Sequence, residues 1–150
     1  MRREDMATGP DRARELLRSA GYGILSMASA EGVPYGIPLN YAFEDDCLYF
    51  HCAPEGRKTD FLSGNGKVSF CVVGRNRVLP REFTTEYESA VARGYASELH
   101  GQEKKLGLEL LVRKYSPGHL EKGLECIDRL INSTRVFRIR LDSITGKASG

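Results

Sequence analysis

Residues 34–43 alternate at every position between two kinds of side chain. The odd positions carry Tyr35, Ile37, Leu39, Tyr41 and Phe43, and the even positions carry Pro34, Gly36, Pro38, Asn40 and Ala42. A period of two residues predicts a β-strand with one apolar face and one face of small or polar residues, on which a flat molecule has room to lie. Because proline cannot donate a hydrogen bond to a neighbouring strand, Pro34 and Pro38 predict a sheet edge or irregular pairing.

The chain continues from this strand into a hairpin. An acidic turn at residues 44–46 leads to a second strand over residues 47–52. Apolar spacing predicts further strands over residues 22–28, 67–74, 84–97 and 134–141, helices over residues 11–20, 57–63, 102–114 and 119–132, and a basic loop over residues 75–83. Asp11 is the expected cap of the first helix. Short connections and peripheral helices predict a mostly β, α+β fold, a six-stranded antiparallel barrel with helices packed outside.

The length and charge of the chain limit its class. With 150 residues, one domain over residues 1–150 is expected, with flexible tails at residues 1–10 and 142–150. A net charge of +2 gives no reason to expect nucleic acid or a membrane surface as a partner. No apolar run approaches the roughly 20 residues of a membrane span. The first residues, MRREDMATGPDR, lack the apolar core of a secretory signal, so a cytoplasmic location is expected.

The four cysteines do not form a metal-binding pattern. Cys47, Cys52, Cys71 and Cys126 include no Cys-x-x-Cys pair, and no histidine lies at zinc-ligand spacing from a cysteine pair. Free thiols and no metal site are therefore expected.

The loop at residues 55–58 is a candidate anion site. Gly56 allows a tight turn, and the amides at a helix start, together with the cations of Arg57 and Lys58, suit a phosphate. The alternative is an exposed charged turn. The sequence has no Gly-x-Gly-x-x-Gly and no Walker pattern, which argues against a Rossmann or P-loop nucleotide site.

Two further positions carry candidate chemistry. His51 ends a strand just before that loop, and an imidazole there can hydrogen-bond a substrate, donate a proton or ligate iron. Its alternative is a histidine that only satisfies a backbone group. Ser89 can donate to an anion from a strand start where Glu86 or Glu88 can pair with an arginine of the basic loop, although a merely polar strand entrance explains the same pattern. No Ser-His-Asp or Cys-His nucleophile signature is present.

Several segments together resemble one family. In order they are YGILSM, GVPYGIPLNY, LYFHCAPEGRKTDFL, NGKVSFCVVG, EFTTEYESAVARGYA, LLVRKYSPG and ITGK. They resemble the nitroimidazole-resistance branch of the pyridoxamine 5′-phosphate oxidase-like split-barrel flavoproteins, over residues 20–147. FHCAPEGRK followed by FTTEYESAVARG is the most specific part of the match.

The resemblance implies a split-barrel homodimer with flavin mononucleotide (FMN) at the subunit interface. Haem or a deazaflavin is the alternative cofactor, since some relatives bind these. Carried over by position, Pro38, Leu39 and Asn40 border the flavin ring, His51 lies near the flavin or substrate, and Gly56, Arg57 and Lys58 surround the phosphate with help from Ser89.

The function implied is an oxidoreductase that passes electrons from a nicotinamide or other donor to a small nitroaromatic or related acceptor. His51 would polarise or protonate that acceptor, and no protein nucleophile is needed. The alternatives are a non-catalytic haem or flavin carrier or sensor on the same barrel, and a purely structural barrel with an empty cleft.

Overall fold

A computed structural model of the chain describes residues 3–150. The strands are β1 (Ala7–Thr8), β2 (Gly23–Ala28), β3 (Pro34–Leu39), β4 (Ala42–Glu44), β5 (Cys47–Cys52), β6 (Lys67–Leu79), β7 (Thr84–Leu99) and β8 (Arg135–Ser149). The α-helices are α1 (Pro10–Ser19), α2 (Arg57–Gly64), α3 (Gly101–Tyr115) and α4 (Leu120–Leu130). Short 3₁₀ turns lie at Glu4–Met6, Pro80–Glu82, Pro117–His119 and Ile131–Ser133.

All the strands belong to one antiparallel sheet. Its order is β3-β2-β6-β7-β8-β5-β4, and β1 pairs with β8. The predicted mostly β fold with peripheral helices is confirmed. The predicted six-stranded barrel is not, because the sheet has eight strands and, within residues 3–150, no ladder joins β3 to β4 at its two ends.

Residues 34–43 do not form the single strand predicted for them. β3 pairs with β2, whereas β4 pairs with β5, and only two residues link these opposite ends of the sheet. The chain leaves the ladder at Tyr41 because side chains of α3 take over its backbone groups. The Tyr41 N–H donates to the Tyr115 hydroxyl at 2.9 Å, and Lys114 Nζ donates to the Tyr41 carbonyl at 2.9 Å. The prolines lie where predicted, since β3 is an edge strand.

Two hydrophobic cores lie on opposite faces of the sheet. The inner core holds Leu17 of α1, with Leu25, Tyr41, Phe50, Phe70 and Ile139 from the strands and the β3–β4 link. The outer core packs α3 and α4 onto β5 and β8 through Tyr49, Leu108, Leu111, Ile127 and Val136. Neighbouring residues of β5 therefore face different cores, and His51 lies on the helix side together with Tyr49.

Several element boundaries differ from the prediction. Helix α1 begins at Pro10 after Gly9, so Asp11 lies inside the first turn and does not cap it. Strand β6 continues past a bulge between Val73 and Asn76, which reduces the predicted loop of residues 75–83 to a short turn after Leu79.

Both predicted tails also need correction. Residues 143–149 pair with β7, so the C-terminal end is part of strand β8. The same segment also pairs with β1, which lies in the predicted N-terminal tail. Residues 1–2 of that tail lie outside the described part of the chain. Over residues 3–150, no helix has the length and apolar character to cross a membrane, and no three His, Cys, Asp or Glu side chains group as a metal site. The four cysteines are free.

Candidate functional site

The loop before α2 forms the first cleft of the candidate site. Gly56 precedes the helix with φ of +150° and ψ of 172°, a backbone region that essentially only glycine occupies. The first amides of an α-helix lack intrahelical partners, and Gly56 offers no side chain to cap those of α2. The cleft holds about 210 Å³ and is lined by Tyr35, Cys52, Ala53, Glu55, Gly56, Arg57, Lys58 and Thr59.

Two cations at this cleft are available to an anion. Arg57 and Lys58 occupy the first turn of α2, and neither has a carboxylate oxygen within 4.0 Å in the described chain. Free amides at a helix start and unpaired cations both stabilise negative charge. The cleft thus brings together the three residues predicted to surround a phosphate.

Strand β3 reaches this cleft, but the predicted ring-bordering residues, two on β3 and one in the link after it, differ in their exposure. Tyr35 stacks on Phe61 of α2 with 5.1 Å between ring centres, which holds β3 beside the cleft. Pro38 and Asn40 are exposed, whereas Leu39 is half-buried and packs against the inner core. A ring lying on this strand would therefore meet Pro38 and Asn40 more than the side chain of Leu39.

His51 lines a second cleft, on the helix side of β5. This cavity, here called the α3–α4 cavity, holds about 300 Å³ and is bounded by His51, Leu111, Val112, Cys126, Leu130 and Thr134 among others. Protein atoms packed around the ring lower the pKa of His51 below its usual 6.5, and the Lys58 ammonium lowers it further, although part of the side chain stays exposed. His51 is therefore mainly neutral at pH 7 and lies within electrostatic reach of the first cleft.

Ser89 lies in a third cleft, separate from the other two within the protomer. It holds about 340 Å³ on the exposed faces of β7 and β8, where Ser89 pairs across the strands with Lys147, and Arg93 pairs with Ser143. Arg93 and Lys147 make no ion pair in the described chain. The cleft is therefore cationic and rich in hydroxyl groups, but it does not adjoin Gly56, Arg57 and Lys58 as one pocket.

The acidic residues beside Ser89 are engaged in structural ion pairs. Glu86 lies 4.0 Å from Arg75, as predicted for the basic segment. Glu88 is buried and instead pairs with Arg12 of α1, whose Nη2 lies 2.7 Å from its carboxylate. The Arg12 guanidinium lowers the pKa of Glu88, so this carboxylate stays ionised and fixes α1 against β7.

The sequence could point to only some of the residues that the structure brings to these clefts. Arg93 lies on the same face of β7 as Ser89, so the two-residue period of that strand could have indicated it. Lys147 was missed because residues 142–150 were expected to be a tail. The leucines of α3 and the cysteine of α4 were visible only as ordinary helical spacing, which does not distinguish a core from a cavity wall.

Comparison with known proteins supports the resemblance drawn from the motifs. The family model described as pyridoxamine 5′-phosphate oxidase matches residues 10–148. That match begins at Pro10, the first residue of α1, and ends at Ala148, one residue before the end of β8. No curated protein matches the sequence.

Several solved structures share the fold. A candidate 5-nitroimidazole antibiotic resistance protein from Bacteroides thetaiotaomicron is 24% identical over 95% of this chain and 86% of its own, with a TM-score of 0.78. A FAD-binding protein from Mesorhizobium loti is 24% identical over 96% of this chain and 97% of its own, with a TM-score of 0.67. A FAD- and haem-binding protein from Mycobacterium smegmatis is 18% identical over 97% of this chain and 74% of its own, with a TM-score of 0.78.

At these identities the structural likeness shows the fold alone. The family model, by contrast, covers nearly all of the sequence. On that match, the chain belongs to the pyridoxamine 5′-phosphate oxidase-like family.

Proposed function

We propose that the protein is a cytoplasmic, flavin-dependent oxidoreductase that binds FMN and reduces small nitroaromatic or related acceptors. The observation that carries this proposal is the anion cleft at the start of α2, where Gly56, Arg57 and Lys58 lie together one strand-end away from His51. Two further findings support flavin binding. The chain belongs to the pyridoxamine 5′-phosphate oxidase-like family, and two proteins with the same fold are named as FAD-binding.

The residues of the first cleft fit the phosphate of a flavin nucleotide. Gly56 gives the loop a conformation that other residues resist, and Arg57 and Lys58 have no internal carboxylate to neutralise them. Charge-assisted hydrogen bonds to a phosphate are each worth about 1.5–3 kcal/mol. Pro38 on the neighbouring edge strand and Asn40 in the link after it are both exposed and would border the ring.

His51 would act on the acceptor by hydrogen bonding. The flavin supplies the electron-transfer chemistry when bound, and the protein supplies orientation and electrostatics. Because the pKa of His51 is lowered, the imidazole is a poor proton reservoir at pH 7, but its ring N–H can polarise an acceptor oxygen. Of the two roles expected for His51, polarisation fits this environment better than stoichiometric protonation.

A homodimer would complete the site. Ser89 lines a cationic cleft on a sheet face that also exposes Val73 and Tyr95, which are 55% and 57% accessible. A second copy seated on this face would cover the exposed side chains and bring Ser89 and Arg93 of one subunit toward the flavin of the other. This arrangement would explain why Ser89 does not reach the first cleft of its own protomer.

A carrier or sensor that binds haem or flavin without turnover is the second candidate function. Neutral imidazole is a common iron ligand, and His51 lines a mainly apolar cavity. The Mycobacterium smegmatis neighbour is itself named for binding haem as well as FAD. FAD and a deazaflavin are the other cofactors to distinguish.

The test begins with the cofactor. The purified protein is expected to show flavin absorbance bands, and the mass of the ligand released by heat should be that of FMN. Reduced nicotinamide with a nitroaromatic acceptor should then give turnover. A Soret band that is lost in His51→Ala would favour the haem-binding carrier. A colourless protein that takes up no added flavin would contradict both the flavin-dependent oxidoreductase and the flavin carrier.

A further inference from the structure

The α3–α4 cavity has the size and lining of a small-ligand site. Its volume of about 300 Å³ lies at the lower end of the range for ligand pockets. Leu108, Leu111, Val112, Ile127 and Leu130 give it aliphatic walls, and His51 contributes an imidazole.

The cavity is not the result of loosely packed helices. A Cβ at Gly123 of α4 would overlap Val112 of α3, so the two helices are in close contact there. A Cβ at Gly107 of α3 would lie 3.0 Å from Val136 of β8, so α3 also lies tightly on the sheet. The space remains open beside two tight contacts, which would prevent the helices from collapsing into it.

The polar groups of the cavity define the chemistry of its ligand. No Asp, Glu, Lys or Arg lines the cavity in the described chain. The Thr134 hydroxyl donates to the Cys52 carbonyl at 3.0 Å, which leaves it only as an acceptor, whereas the His51 ring and the Ser116 hydroxyl, which also line the cavity, can donate. A charged ligand would lose hydration without gaining a counter-ion in the walls, so the ligand that fits is uncharged and mainly apolar, with an oxygen that accepts hydrogen bonds.

We propose that the α3–α4 cavity binds the electron acceptor, an uncharged aromatic molecule with a nitro or quinone oxygen directed at His51. The inference rests on the proposed function, because it assigns that function's acceptor to a place in the fold. Leu111 and Cys126, on facing helices, would set the size of molecule admitted.

The experiment measures binding, separately from turnover. Nitrobenzene binding to the flavin-loaded protein is followed by calorimetry in two variants on α4. Cys126→Trp fills the cavity and should weaken nitrobenzene binding at least tenfold. Glu125→Trp places the same large ring on the exposed neighbouring position, outside the cavity, so it should stay within twofold of the unmodified protein.

The outcomes separate the inference from the proposed function. Unchanged nitrobenzene affinity in Cys126→Trp, with an unaltered circular dichroism spectrum and unaltered FMN binding, would overturn the cavity as the acceptor site while the flavin function stands. If none of the proteins binds FMN, the proposed function fails. Weaker nitrobenzene binding in Cys126→Trp would then show a ligand cavity, and the role of that ligand as electron acceptor would be overturned.

Discussion

The Nζ atom of Lys114 lies 3.8 Å from the centre of the Tyr41 ring and donates to the carbonyl of the same residue. This lysine makes no ion pair in the described chain, and burial lowers its pKa to about 8 from the usual 10.5. Lys114 therefore fixes the C-terminal end of α3 to the two-residue link between β3 and β4.

Lys114 should make the stability of the fold rise with pH in a defined window. Below pH 8 the lysine is charged in both states, and the full penalty of burying the charge is present. Between pH 8 and 10.5 the unfolded chain binds a proton that the folded protein does not, so the free energy of unfolding increases with pH. Because the side chain is only partly buried, we expect an increase of about 1 kcal/mol by pH 9.5.

Denaturant titrations at pH 7 and 9.5 test this expectation. The increase should be absent in Lys114→Met and retained in Lys122→Met, which alters an exposed lysine of α4. The same pH dependence in Lys114→Met and the unmodified protein would show that other groups cause it.

Removing the hydroxyl of Tyr115 should destabilise the β3–β4 link. This hydroxyl accepts from the Tyr41 N–H at 2.9 Å and lies 2.7 Å from the Gly21 carbonyl. Tyr115→Phe leaves a buried N–H without a partner, which costs about 1–3 kcal/mol of unfolding free energy. Urea denaturation measures the loss, with Tyr95→Phe on the exposed face of β7 as the control; equal losses in the two variants would contradict the assignment.

Replacing Lys58 should weaken FMN binding with little effect on folding. Loss of one charge-assisted contact to the phosphate predicts a roughly 10- to 100-fold higher dissociation constant. Quenching of flavin fluorescence measures the constant in Lys58→Ala and in Lys67→Ala, an exposed lysine at the start of β6 that should leave it unchanged. Unchanged affinity in Lys58→Ala would remove this residue from the phosphate site.

The same lysine should control the protonation of His51. Burial and the Lys58 charge both lower the pKa of His51, so an NMR titration of its imidazole should give a value below 6.5. Lys58→Ala should raise that value partway toward 6.5, since the desolvation remains, whereas Lys67→Ala should not move it. A pKa at or above 6.5 in the unmodified protein would contradict the neutral hydrogen-bonding role given to His51.

Periodicity predicted most of the strands and helices because it records which way side chains point. It does not record which strand is the neighbour, so residues 34–43 read as one strand although their two halves pair at opposite ends of the sheet. The small and polar residues after Leu141 looked like a tail, yet Gly146 is buried against Thr8 and Ala13.

In the candidate site, too, the sequence predicts contacts between residues that are close along the chain but not contacts between residues that are far apart. Gly56, Arg57 and Lys58 are adjacent in sequence, so their shared cleft could be predicted from the chain alone. Arg12, the partner of Glu88, lies 76 residues away, and no local pattern links the two. His51 and Ser89 line different clefts because His51 pairs with Val136 near the start of β8, whereas Ser89 pairs with Lys147 near its end, and residue order does not reveal this register.

The two-residue link between β3 and β4 has a consequence for how the protein reaches its native state. Three Cα–Cα steps separate Leu39 from Ala42, so the far edges of the sheet come within about 11 Å of one another. The Tyr41 N–H at this seam is held by Tyr115, 74 residues further along the chain. Contacts of such sequence separation form slowly because a long loop must close first. We therefore expect the seam to form late in folding, after α3 has docked, and to open first when the native protein fluctuates.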